Sequence, residues 1–235
     1  MQIDTDNIAQ QCLDKINEKI NNLKRLNIIV IGKSGVGKST LINSLFRGDF
    51  AATGLGRPVT QEIRKIVKSD YPLAIYDTPG FELSANQQES VKDEILKLIS
   101  DGYASKDINE TIHCIWYCIN VGANRTFDSS EVEWLREFSK KTKNSKVPIM
   151  VVLTQSVPKY KAVEMKNLVE QENLEISKVV PILAQDMEFD EEYVAKAYGL
   201  DTLIDIMAEV LPSELQDTLQ NIQKVSLEAK KKHAR

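Results

Sequence analysis

Ile28-Ile29-Val30-Ile31-Gly32-Lys33-Ser34-Gly35-Val36-Gly37-Lys38-Ser39-Thr40 decides the fold of this chain. A short β-branched run enters G-x-x-x-x-G-K-S, and Leu41-Ile42-Asn43-Ser44-Leu45-Phe46 continues it as a helix. Strand, glycine loop and helix in that order predict a phosphate-binding loop. Gly32 and Gly37 permit positive φ, so the backbone N–H groups of the stretch through Ser34, Gly35 and Val36 can turn inward on phosphate oxygens. The helix that starts near Lys38 and Thr40 directs the positive end of its dipole at the same anion. Lys38 is the candidate partner of the β- and γ-phosphates, and the Ser39 hydroxyl the candidate Mg²⁺ ligand.

Working outward, Tyr76-Asp77-Thr78-Pro79-Gly80 closes a later strand. Asp77 would hold Mg²⁺ through a water, and the unobstructed N–H of Gly80 would face a γ-phosphate. A strand-ending turn is the plain alternative, because Asp, Pro and Gly all favour turns. Downstream of a phosphate loop, D-T-P-G resembles the third motif of the translation-factor and Ras-like GTPases. That resemblance gives Thr60, which abuts the second strand and is preferred over Thr53, a role on Mg²⁺ and γ-phosphate in the triphosphate state alone. A loop with such contacts is an order–disorder switch.

The base-reading motif departs from the usual N/T-K-x-D. Strand Pro148–Leu153 runs into Thr154-Gln155-Ser156-Val157, with no carboxylate to pair the guanine donors. Gln155 is expected along the base, and Ser156 to accept one hydrogen bond. Pro181-Ile182-Leu183-Ala184-Gln185 stands where S-A-K would lie, which directs the Ala184 N–H to guanine O6. Trp116-Tyr117-Cys118-Ile119-Asn120, the T-Q-S variant, Ala197-Tyr198-Gly199-Leu200 and the tail from Lys224 to Lys232 resemble a bacterial GTPase group whose G domain precedes a membrane-associated DUF697 region. The likeness runs from Asn27 onward and implies GTP use; no apolar region follows here, as in a piece of a longer protein.

The rest of the chain fits one domain with extensions. Its 235 residues are 42% hydrophobic and 27% charged, as in an ordinary soluble globule. A net charge of −4 supplies no general field for nucleic acid. No apolar run approaches membrane-spanning length, and the start lacks the basic and apolar regions of a secretory signal. Ile8, Cys12, Leu13, Ile16, Ile20 and Leu23 predict an amphipathic helix over residues 1–26. The G domain then spans 27–212, and 213–235 is a helix with Leu215, Leu219, Ile222 and Val225 on one stripe and a basic end at Lys230–Arg235.

Between these ends the pattern alternates. Strands are expected at Ile28–Ile31, Gln61–Val67, Leu73–Tyr76, Thr111–Ile119, Val147–Leu153 and Lys178–Leu183. Helices are expected at Ala85–Ala104, Ser129–Lys140, Lys159–Asn173 and Leu200–Leu211. This predicts an α/β, doubly wound, mostly parallel six-stranded sheet with one antiparallel strand, its ligand at the carboxyl ends of the strands. Cys12, Cys114 and Cys118 make neither a disulfide framework nor a zinc spacing and read as small buried hydrophobes in a reducing compartment. His113 reads as a core or strand-end residue.

Phe81 occupies the slot where Ras-like enzymes carry a water-positioning glutamine, so slow intrinsic GTP hydrolysis to GDP is expected. Gly35 stands where potassium-assisted relatives have asparagine. A non-hydrolysing, nucleotide-dependent interaction module and an ATP-using phosphate-loop protein remain alternatives. Beside the guanine nucleotide, the expected partners are an effector or activating protein, a second copy of the chain and an anionic membrane surface, with a cytoplasmic location at the inner face of the membrane.

Overall fold

A computed structural model describes residues 23–46, 55–58, 63–67, 72–79, 85–122, 127–189, 193–220 and 222. The N-terminal stripe before Leu23, Thr53, Thr60, Gly80, Phe81 and the basic end lie outside the described residues.

Leu26–Ile31 forms β1, all six residues buried, because strands on either side and helices on both faces cover it. β4 (Leu73–Asp77) pairs with it on one side and β5 (Cys114–Asn120) on the other, both in parallel. β6 (Ile149–Thr154) and β7 (Lys178–Pro181) extend the parallel run. β3 (Arg64–Val67) pairs antiparallel with β4 and is the one reversed strand. These are the six expected strands.

An edge strand β2 (Leu55–Pro58) adds to β3, giving the order β2-β3-β4-β1-β5-β6-β7. That segment reads as a loop because Gly56 and Pro58 are poor strand formers, and a sheet edge tolerates both.

Alternate residues of β1 feed two cores. Leu26, Ile28 and Val30 pack with α1 (Lys38–Phe46) and α5 (Leu200–Val210), joined by Leu215, Leu219 and Ile222. Ile29 and Ile31 pack with α2 (Ala85–Ser105), α3 (Ser129–Thr142) and α4 (Lys159–Gln171). Cys114 and Cys118 share the first core, fully buried, and burial pushes the Cys118 thiol up to about 12. His113 is also buried, at the sheet edge away from the phosphate loop, with Nδ1 accepting from the Asn27 N–H at 3.0 Å. A small hairpin, β8 (Met187–Glu188) and β9 (Val194–Ala195), intervenes between β7 and α5.

Candidate functional site

The carboxyl ends of β1, β4, β5 and β6 lie side by side, and this gathers motifs that are far apart in sequence. The phosphate loop leaves β1 at Gly32, whose φ is +152°. A Cβ there would stand 2.6 Å from the Cys118 carbonyl oxygen, so β5 excludes a side chain. Gly37 has φ +92°, and the Leu41 N–H donates to its carbonyl to open α1. Lys38 Nζ folds back to donate to the carbonyls of Gly32 (2.8 Å) and Lys33 (3.2 Å). Ser39 and Thr40 are exposed in the first turn of α1.

Asp77 ends β4 between Val30 on one side and Arg64 on the other. Both the N–H and the hydroxyl of Thr78 donate to the Val30 carbonyl, which fixes the strand end against β1. Burial raises the Asp77 carboxyl pKa, and the positive charges of Lys38 and Arg64 only partly offset it. A further cation beside this carboxylate would therefore favour its ionised form. Among the described residues no three His, Cys, Asp or Glu side chains cluster as a metal cage. One carboxylate and one hydroxyl at a phosphate loop suit Mg²⁺, a hard ion that takes its remaining oxygens from phosphate and water.

On the base side, Thr154 ends β6 and is buried. Its hydroxyl lies 2.5 Å from the Val36 carbonyl and 3.1 Å from that of Ile119, tying the phosphate loop to β5 and β6. Gln155 is held at φ +48°, uncommon for a side-chain-bearing residue, with its amide between Gly37 and Gly122. Ser156 takes a different orientation from the expected one. It is fully buried, its N–H donates to the Ile182 carbonyl and its hydroxyl to the Leu153 carbonyl. A cavity of about 240 Å³ opens above, lined by Gly37, Thr40 and Gln155 on one side and by Ala184, Gln185 and Asp186 on the other.

A second set of residues has no counterpart in the sequence reading. Lys33 Nζ reaches Glu131 Oε2 at 2.8 Å and Asp128 Oδ2 at 3.1 Å, while the Tyr117 hydroxyl donates to Glu131 Oε1 at 3.0 Å. Asp128 also caps α3 by accepting from the Glu131 N–H. Bonds from Ser130, the Glu131 N–H and Lys33 hold its carboxyl down at about 2. Only Asp128-x-x-Glu131 carries a sequence signal, and that signal is for a helix start rather than for contact with Lys33.

A mostly parallel sheet that gathers a phosphate loop, a strand-ending aspartate and a threonine–glutamine loop at the carboxyl ends of its strands defines the nucleotide-binding G-domain class. Residues 27–155 match the 50S ribosome-binding GTPase family, and the chain belongs to that family. Septin-9 of Rattus norvegicus is 31% identical over 138 residues, covering 48% of this chain and 24% of that protein. Neuronal-specific septin-3 of Danio rerio is 28% identical over 197 residues, covering 73% of this chain and 52% of that protein. The chain thus spans about a quarter and about half of these relatives' lengths. Among solved structures, a probable GTP-binding protein engB aligns over 78% of this chain and 97% of its own, with 24% identity and a TM-score of 0.48.

Proposed function

We propose that this chain binds GTP with Mg²⁺, hydrolyses it slowly to GDP and phosphate, and rearranges the loops that carry Thr60 and Gly80 between the two states. One observation carries the reading: the cavity is lined both by the phosphate loop, at Gly37 and Thr40, and by the base-side residues Gln155 and Ala184. A single nucleotide placed there would touch the phosphate and base elements together.

Each residue then has a task. The phosphate-loop N–H groups and the α1 dipole bind the β- and γ-phosphates, and Lys38 turns from the loop carbonyls to neutralise their charge. Ser39, Asp77 and, in the triphosphate state, Thr60 would hold Mg²⁺, which when bound offsets charge on the phosphate oxygens. The Gly80 N–H meets the γ-phosphate, and Gln155 and the Ala184 N–H meet the base. Phe81 can neither donate to nor accept from an attacking water. That favours slow turnover and an activating partner that positions the water.

Action near a membrane and membership of the DUF697-associated bacterial group rest on the motif likeness and on the Lys230–Arg235 run, which would suit anionic lipid. Among the described residues no helix is long and apolar enough to cross a membrane. The test is GTP, GDP and ATP affinity with and without Mg²⁺, together with multiple-turnover phosphate release. Tight GTP retention without phosphate release would replace the hydrolase by a nucleotide-dependent interaction module. Equal ATP and GTP affinity would remove the guanine assignment.

A further inference from the structure

Guanine presents an acceptor, O6, beside two donors, N1–H and the 2-amino group, along one edge. The T-Q-S loop supplies no carboxylate for those donors, and Ser156 turns its hydroxyl inward to Leu153. Among the described residues lining the cavity, Asp186 is the one acidic side chain, two positions beyond Ala184 on the same wall. An N–H from Ala184 followed by a carboxylate from Asp186 matches the acceptor–donor order of the guanine edge.

Asp186 is also held in place. Its Oδ2 accepts from Lys196 Nζ at 2.8 Å and its Oδ1 from the Ala197 N–H at 2.8 Å. Each oxygen keeps a lone pair for a further donor. The side chain is 48% exposed, so an incoming base can reach it. Lys196 and Ala197 hold its carboxyl below the usual carboxylate range, which keeps it ionised at neutral pH.

Ala197-Tyr198-Gly199 builds this arrangement. Tyr198 exchanges backbone hydrogen bonds with Leu183, and its hydroxyl donates to the Ser156 carbonyl at 2.7 Å. One residue thus joins the loop after β6 to the loop after β7. Gly199 lets the chain pass close to β7: at φ +86°, a Cβ there would lie 2.3 Å from the Pro181 carbonyl oxygen.

The geometry points to Asp186 as the guanine-reading carboxylate of this chain, moved from the loop after β6 to the loop after β7, oriented by Lys196 and Ala197 and locked to the T-Q-S loop by Tyr198. The assignment rests on the GTP reading above and adds the residue that sets base specificity. A carboxylate accepts from both guanine donors, loses one of them with inosine, and opposes the carbonyl that xanthine carries at the same position.

The test is competition binding of GTP, ITP, XTP and ATP to the wild-type chain, Asp186→Asn and Lys38→Ala, with thermal melting to establish folding. Wild type is expected to bind GTP about tenfold or more tighter than ITP or XTP, the scale of one hydrogen bond to a charged group. Asp186→Asn is expected to lose GTP affinity by about tenfold or more and to gain XTP affinity, because an amide can donate to the xanthine carbonyl. A folded Asp186→Asn chain with an unchanged GTP-to-XTP ratio would overturn the assignment, as would an equal loss for all four nucleotides. If wild type binds GTP and ATP alike and Lys38→Ala abolishes both, the Asp186 assignment falls while phosphate binding stands. If Lys38→Ala leaves all binding intact, the nucleotide reading falls and the Asp186 assignment with it.

Discussion

Lys33 Nζ lies 2.8 Å from Oε2 of Glu131, a bond that ties the phosphate loop to α3 across 98 positions of chain. Burial works against the Lys33 ammonium, but Glu131 and Asp128 outweigh it and its pKa rises. Glu131→Ala would remove an acceptor of the buried Tyr117 hydroxyl and leave Lys33, among the described residues, with the more exposed Asp128. The expected loss is about 2 kcal/mol of stability, with weaker GTP binding because the loop loses its brace. Urea unfolding reads the first as a lower midpoint at unchanged slope. An unaltered midpoint would show that the network contributes nothing.

Lys38→Ala is expected to abolish triphosphate binding, since the ammonium that now bonds the Gly32 and Lys33 carbonyls has no nearby substitute. Ser39→Asn should weaken Mg²⁺–GTP more than GDP alone, because it removes a hydroxyl suited to the ion and leaves the loop N–H groups in place. Titration calorimetry with and without Mg²⁺ measures both. Equal effects on the two nucleotides would take Ser39 off the metal.

Thr60→Ala is expected to slow single-turnover GTP hydrolysis far more than Phe81→Ala, because threonine can ligate Mg²⁺ whereas phenylalanine can neither hold nor polarise a water. Quenched-flow measurements on folded, nucleotide-saturated protein give the comparison. A collapse of chemistry in Phe81→Ala would place the water-positioning element there instead.

His113 makes stability depend on pH. Burial lowers its pKa from 6.5 to about 4, with the Ile108 backbone pulling part of the way back. The unfolded chain therefore takes up a proton near pH 6.5 while the folded chain stays neutral down to about 4. The contribution is complete above pH 6.5, falls across that window, and is lost below it, amounting to about 3 kcal/mol. His113→Asn retains an acceptor for the Asn27 N–H and should flatten denaturation midpoints between pH 6.5 and 4.5. The same fall in both proteins would place the titration elsewhere.

Much of this architecture is written locally. The β-branched runs, the glycine loop entering a helix and the strand-ending Asp77 rest on interactions within a few residues, so periodicity and turn chemistry reveal them without the fold. The core strands also needed no tertiary information, because strands buried on both faces read as continuous apolar runs. The edge strand Leu55–Pro58 was not legible, since its composition favours a turn and only pairing with β3 makes it a strand.

Side-chain direction belongs to the tertiary structure. Nothing in Thr154-Gln155-Ser156 says that the serine turns to the Leu153 carbonyl, because that depends on how the loop meets Ile182 and Tyr198. Nor does any spacing connect Lys33 to Glu131, or mark Asp186 as the one acidic residue lining the cavity among the described residues. The sequence by itself determined a phosphate loop on a parallel sheet, since those signals are short-range and periodic. Which charges brace that loop, and which carboxylate lines the cavity, only the packed chain decided, because burial and distance across the sheet are properties of residues that meet only once it has folded.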